Sequence, residues 1–314
     1  MFLRTSRKKI ILHIGLPKTG STALQQALFQ SRMALLRKGV LYPAQVHRED
    51  DPKHNFLLDL IRKGHGYDIG CEQDYKAASR IVISNEAVSN DFYFHGAERN
   101  RQLAERLREH GELEICMVLR REREWLRSYY KQAVINQPVQ GKPHYQNSLL
   151  LDAFRELEPV RRLLNHSELI LDVSAAFQAP VRAMRYEETP VSQVLEYCTG
   201  LAGRSYPLAR RHNESVSDAA VEVMRQLNAN IENIEEKYAW SYVLAHACSA
   251  KHDVLTTLAG RATPEAVAAL DGAKLETLTY IPNNVSALDE QDVNLTIAAV
   301  KEAFLAIKET SIGI

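Results

Sequence analysis

An apolar run, Ile10-Ile11-Leu12, leads into a turn bounded by Gly15 and Gly20, and the turn leads into Ala23-Leu24-Gln25-Gln26-Ala27-Leu28. The run fits a buried strand and the last stretch a helix. The first N–H groups of such a helix have no intrahelical partner, and its dipole places partial positive charge there. Strand, turn and helix start therefore make an anion site. Gly15 and Gly20 let the backbone come close to a bound phosphate. Lys18 adds a full charge, and Ser21 and Thr22 add hydroxyl donors. Pro17, Lys18, Thr19, Gly20, Ser21 and Thr22 form the candidate binding loop. The competing reading is an ordinary strand-to-helix turn with a solvated lysine.

Gly15 and Gly20 have the separation of the Walker A loop, yet Ser21 stands where that pattern places its lysine. The lysine lies inside the loop instead. In this respect PKTGST after a first strand resembles the 5′-phosphosulfate loop of the sulfotransferases that use 3′-phosphoadenosine 5′-phosphosulfate (PAPS). A second segment, LEICMVLRREREWLRS at 113–128, resembles the same family. An apolar strand-like run ends at Leu119, Arg120 follows it, and Ser128 lies eight positions on in a helical pattern. The resemblance implies that Arg120 and Ser128 hold the 3′-phosphate. A guanidinium binds phosphate bidentately, and a hydroxyl satisfies a further oxygen. Glu122 stands where family members often have Pro. Arg211, Asn213 and Ser215 match an Arg-x-Asn-x-Ser pattern of the family's late nucleotide-covering loop. The same residues also suit a helix start, where Asn or Ser caps. Ala23 follows Thr22 where some members have a Trp that stacks on adenine.

Sulfuryl transfer needs a base for the acceptor hydroxyl and a cation for the leaving phosphate; positioning and electrostatics supply most of the rest. Lys18 is the expected cation. The strand-like run Arg80-Ile81-Val82-Ile83 ends beside Glu86, where open α/β sheets bind ligands. Family members acting on glycans commonly use a Glu in a comparable place, so Glu86 is the expected general base. Its other reading is the opening of the next helix. His54 is the second candidate, as base or acceptor contact, with a structural role as its alternative. Tyr129, Tyr130 and Lys131 either line the acceptor pocket or belong to the core.

The chain has 314 residues, of which 45% are hydrophobic and 25% charged, enough to bury a large core. Lys+Arg and Asp+Glu number 39 each, so formal net charge is zero, which argues against nucleic-acid binding by a basic surface. No segment approaches the ~20 apolar residues of a transmembrane helix. The start carries no signal-peptide pattern, and a cytoplasmic location is expected. Cys71, Cys116, Cys198 and Cys248 are scattered without metal-ligand spacing, so reduced thiols are expected.

Strand and helix patterns alternate through the first half, which predicts an α/β fold. The expected architecture is a central parallel sheet with flanking helices, like the P-loop-like sulfotransferase core, followed by a C-terminal helical subdomain. The expected boundaries are 1–215 and 216–314. Val221, Met224, Leu227 and Ile231 mark one apolar helical face of the latter, and Ile297, Val300, Phe304 and Ile307 another. These helices either shape the acceptor cleft or form a homodimer contact.

The resemblance implies an enzyme that transfers the sulfuryl group of PAPS to a hydroxyl of a carbohydrate acceptor, in a surface glycan or glycolipid. Transfer is direct, leaves 3′-phosphoadenosine 5′-phosphate and requires no metal. Two alternatives stand beside it. A P-loop kinase of a small metabolite would need Lys after Gly20 and a magnesium-holding Asp at a strand end. A non-catalytic nucleotide-binding protein would bind without transfer.

Overall fold

The computed structural model describes residues 7–44, 51–65, 68–138, 144–203, 206–207, 216, 218–247 and 253–270, with helical backbone at 298 and 302. The first elements are β1 (Lys9–His13), α1 (Ser21–Leu36), β2 (Val40–Leu41), α2 (Phe56–Lys63), β3 (Arg80–Ser84), α3 (Ala87–Asn90), α4 (Phe92–Arg108), β4 (Glu112–Leu119) and α5 (Glu122–Ile135). They are followed by α6 (Leu151–Arg155), α7 (Glu158–Leu164), α8 (His166–Phe177), β5 (Val181–Arg185), α9 (Val191–Thr199), α10 (Asp218–Asn228), α11 (Ile234–Ala247), α12 (Asp253–Ala259) and α13 (Pro264–Ala268). The chain divides into two compact units, Met1–Trp125 with Glu158–Arg211, and Leu126–Leu157 with His212–Ile314. This division differs from a single boundary at 215/216 by giving residues 126–157 to the second unit.

The first unit is an α/β layer structure. Its strands form one sheet in the order β2-β3-β1-β4-β5, and every neighbouring pair is parallel. Both faces are covered, as parallel sheets require. Ile11, Val82, Cys116 and Val118 face a cluster with Leu24 and Leu28 of α1 and Val194 and Leu195 of α9. The alternate residues Ile10, Leu12, Ile81, Ile83, Ile115 and Met117 are equally buried, and α4 and α8 lie against β4 and β5. This is the strand-period-two pattern with both sets apolar. Cys116 and Cys198 are free thiols in this core.

α6 and α7 are separate helices, because Pro159 belongs in a first turn, where its missing N–H costs nothing. Asn165 caps α8 by accepting from Glu168 N–H at 3.3 Å. α4 starts at Phe92 and is broken at Gly96 (φ 77°).

The regular secondary structure among the second unit's described residues is helical. Ala220, Val221, Met224 and Leu227 of α10 recur at helical spacing and bury against Trp240, Val243 and Leu244 of α11, Leu255 of α12 and Val134 of α5. Ile231 joins this cluster, as its spacing predicts. The face marked by Ile297, Val300, Phe304 and Ile307 lies outside the described residues. Glu222 pairs with Arg225 on α10, and Arg225 Nη1 donates to Ser148 O at 2.8 Å. No helix among the described residues is long and apolar enough to cross a membrane.

One core residue is a lysine. Lys237 on α11 is 0% exposed and donates to Val134 O at 2.9 Å and to Asn228 Oδ1. These are carbonyls near the C-terminal ends of α5 and α10, where helix dipoles favour a cation. Burial nevertheless pushes its pKa well below the usual lysine range. The native state then binds fewer protons than the unfolded chain between the depressed value and the ordinary one. Stability in that window rises with pH. Thermal melts from pH 7 to 10 are expected to show this rise in wild type and a flatter profile in Lys237→Met; identical slopes would contradict it.

Candidate functional site

The parallel strands of the first unit's sheet all end at one edge, and a functional candidate follows each of three of them: Lys18 after β1, Glu86 after β3 and Arg120 after β4. Register makes this a common edge, since His13 pairs with Ser84 and with Cys116, and Leu119 pairs with Arg185. β1 is central: the chain leaves it for β2 on the β3 side, and leaves its other neighbour, β4, for β5 in the opposite direction. That is the switch point at which open α/β sheets bind ligands.

The loop after β1 keeps strand-like pairing at first, as Ile14 and Leu16 N–H groups donate to Cys116 and Val118 carbonyls at 2.9 Å. It then turns sharply. Lys18 and Gly20 both have positive φ, 65° and 82°, and Gly20 is the N-cap of α1. A non-glycine residue in this region is uncommon and carries strain. A Cβ at residue 15 would stand 2.9 Å from Thr19 Oγ1, 3.1 Å from His13 Nε2 and 3.3 Å from Ser21 Oγ. A side chain at residue 15 would therefore force Thr19 Oγ1 to move. Thr19 Oγ1 donates to Leu16 O at 2.5 Å, which braces the turn. Ser21 is 6% exposed, and its buried Oγ has no hydrogen-bond partner among the described residues. A buried hydroxyl left unsatisfied at a helix N-terminus is a site that expects a ligand oxygen. Thr22 is exposed on the same turn, and Pro17 is buried.

Two side chains that follow β4 hold this loop. Arg120 Nη1 donates to Lys18 O at 3.3 Å, and Trp125 Nε1 donates to Pro17 O at 3.1 Å. Lys18 is half-buried, and burial followed by the nearby Arg120 charge lowers its pKa. Two cations held this close favour an anion between or beside them. Tyr186, immediately after β5, completes the edge. Its ring lies 5.5 Å from the Arg120 guanidinium, and its Cε2 would be 3.2 Å from a Cβ at residue 20. Nothing in local sequence pattern singles out Tyr186; an aromatic residue at the end of a parallel strand is the signal that could have done so.

Glu86 lies two residues beyond β3 and is the N-cap of α3. Its Oε1 accepts from Lys53 Nζ at 2.6 Å and its Oε2 from Gln25 Nε2 at 2.9 Å. Burial acts to raise its pKa, but the Lys53 charge and the hydrogen bonds from Lys53 and Gln25 prevail and hold it below the usual carboxylate range. Behind it, Gln25 Nε2 also reaches Ser84 Oγ at 3.2 Å, and Ser84 Oγ lies 2.8 Å from His13 Nδ1. Burial drives the His13 pKa down to about 4, against the opposing pull of Glu86. Ser89 Oγ, on α3, donates to Gly15 O at 3.0 Å and ties this network to the loop.

His54 is 1% exposed and has both ring nitrogens engaged. Ser84 N–H donates to Nδ1 at 2.9 Å, and Nε2 lies 2.9 Å from Pro43 O. With Nδ1 accepting, Nε2 carries the hydrogen and donates. Burial pushes this imidazole's pKa down to about 4 as well.

Ser128 is partly buried on α5 and belongs to the second unit. Tyr129, Tyr130 and Lys131 belong to it too, with their polar ends engaged there. Tyr129 Oη lies 2.8 Å from His144 Nε2, Tyr130 Oη donates to Leu149 O at 2.8 Å, and Lys131 Nζ donates to Val216 O at 2.9 Å. Arg211, Asn213 and Ser215 lie outside the described residues.

No protein-family model matches the sequence, and no curated protein matches it. Among solved structures, the chain is similar to the crystal structure of a sulfotransferase from Alicyclobacillus acidocaldarius, with 15% identity and a TM-score of 0.38. The match covers 69% of this chain and 92% of that one.

Proposed function

We propose that the chain transfers the sulfuryl group of PAPS to a hydroxyl of a carbohydrate acceptor. The observation that carries this reading is the loop at 15–22. It combines a helix N-terminus, an unsatisfied buried Ser21 hydroxyl and the paired cations Lys18 and Arg120. These groups suit a 5′-phosphosulfate, with the lysine placed inside the loop rather than after the second glycine. Arg120 is the 3′-phosphate contact that the first unit supplies. Tyr186 offers an aromatic face beside the loop, in place of the residue that Ala23 does not supply.

PAPS, when bound, supplies the sulfuryl group: the acceptor oxygen bonds to sulfur as the bridging bond to the 5′-phosphate breaks. Lys18 neutralises the charge that grows on the departing phosphate. The α1 N-terminus binds the non-reacting oxygens through its free N–H groups. Glu86, held ionised, takes the acceptor proton. His54 positions the segment bearing Lys53 through its two backbone contacts, which leaves Glu86 as the assigned base.

Calorimetric titration with 3′-phosphoadenosine 5′-phosphate and with ATP tests the donor. The 3′-phosphorylated nucleotide is expected to bind more tightly than ATP. Arg120→Ala is expected to weaken it by about 10- to 100-fold, the worth of a charge-assisted contact. A preference for magnesium-ATP that ignores Arg120 would replace this reading with a kinase.

A further inference from the structure

We infer that Lys53 and Gln25 are positioning residues that clamp the two oxygens of Glu86, Lys53 fixing its charge and Gln25 its orientation, and that the clamp sets the acid limit of the reaction. The inference rests on Glu86 as the base.

Both carboxylate oxygens are engaged by different elements. Lys53 reaches Oε1 from the segment before α2, and Gln25 reaches Oε2 from the second turn of α1. The same Gln25 amide nitrogen donates to Ser84 Oγ. Ser84 Oγ lies 2.8 Å from His13 Nδ1 as well, so its hydroxyl is shared between the two side chains. Gln25 is thereby fixed from behind as well as in front.

Lys53 is fixed by its backbone. Its N–H donates to Asp51 Oδ1 at 2.9 Å, and Tyr42 Oη donates to Pro52 O at 2.6 Å. The adjacent His54 is pinned at both nitrogens. With its backbone held, the Lys53 side chain has a fixed origin, and its contact with Glu86 Oε1 orients the ammonium.

The charge balance favours Lys53 as the setting group. His13 on β1 and Tyr42 beyond β2 also face Glu86. Burial drives both toward their neutral forms, His13 downward and Tyr42 upward. Burial alone would likewise drive Glu86 toward its neutral acid. The Lys53 ammonium reverses that outcome.

The proton follows a closed path. The acceptor oxygen bonds to sulfur, the sulfur–oxygen bond to the 5′-phosphate breaks with its electron pair going to phosphate, and the acceptor proton goes to Glu86. The adjacent ammonium makes the new carboxylic acid strong, so the proton passes to water and the carboxylate is restored.

The test compares Lys53→Met, Lys53→Arg and Gln25→Leu by two readouts. One is the pH profile of kcat/KM. The other is the titration of the Glu86 carboxyl in carbon-13-labelled protein, assigned by its loss in Glu86→Gln. Lys53→Met is expected to move both the acid limb and the carboxyl titration to higher pH. The loss reaches about tenfold or more at pH 5 and shrinks as pH rises. Lys53→Arg restores both. Gln25→Leu is expected to lower kcat by about tenfold even on the plateau above the limb, the signature of lost orientation, and to move the limb upward by less than Lys53→Met does, since its hydrogen bond counts for less than the Lys53 charge. A carboxyl titration that stays in place or falls in Lys53→Met overturns the clamp, whatever the activity does. A titration that moves while the acid limb does not overturns the assigned acid limit through a different failure, that of Glu86 as the base.

Discussion

Glu86→Gln is expected to lower kcat by about 10²- to 10⁴-fold, the usual contribution of a positioned base, while the affinity for 3′-phosphoadenosine 5′-phosphate changes little. The separation is possible because the carboxylate and the loop take their contacts from different groups. Glu86 is bound by Lys53 and Gln25, whereas the loop is bound by Arg120 and Trp125. Glutamine keeps the size of glutamate and still offers an oxygen to Lys53, so the pocket is preserved while the basic site is gone. Single-turnover transfer with saturating donor, read beside calorimetry, reports both halves. Turnover within about threefold of wild type would remove Glu86 from the mechanism.

Lys18→Asn is expected to cost about 10²- to 10³-fold in kcat, the scale found when a group stabilising transition-state charge is removed. Asparagine is the informative choice. Residue 18 has φ 65°, a conformation that asparagine tolerates better than most side chains. The variant therefore keeps the turn and loses the charge. Alanine would mix the two effects. Ground-state affinity for the spent nucleotide is expected to fall by less than kcat does, because the lysine acts most on charge that develops during bond breaking. Equal losses in affinity and in kcat/KM would make Lys18 a simple binding residue.

Much of the first unit was legible from short-range pattern. β1, its glycine-bounded turn and α1 are contiguous, and each announces itself in under ten residues. Arg120 and Glu86 stand just past apolar runs that became β4 and β3, and a parallel sheet brings strand ends to one edge automatically. What was not legible is pairing. His13 meets Ser84 across 71 positions, Gln25 meets Glu86 across 61, and Lys53 meets Glu86 across 33. No local periodicity encodes such contacts, so nothing in the sequence separates Gln25 from Gln26 and Gln30 on the same helix, or Lys53 from any other lysine. His54 illustrates the converse. Its identity suggested chemistry, but its two backbone contacts are visible only once β3 and the segment before α2 adjoin. α8 was missed although its start carried a signal, Asn165 followed three residues later by Glu168, which is a capping pattern.

The two braces on the anion loop have a consequence for how the chain matures. Pro17 is held by a side chain 108 positions later, and Lys18 by one 102 positions later. β1 also finds its neighbours β3 and β4 only after long stretches of chain. Closing contacts over such distances is entropically costly and comes late in folding. A ribosome-bound chain that has exposed β1 and α1 alone has the loop's sequence without its shape. Neither brace can form until Trp125 has left the exit tunnel, so the loop's shape is completed only after more than a hundred further residues have been made.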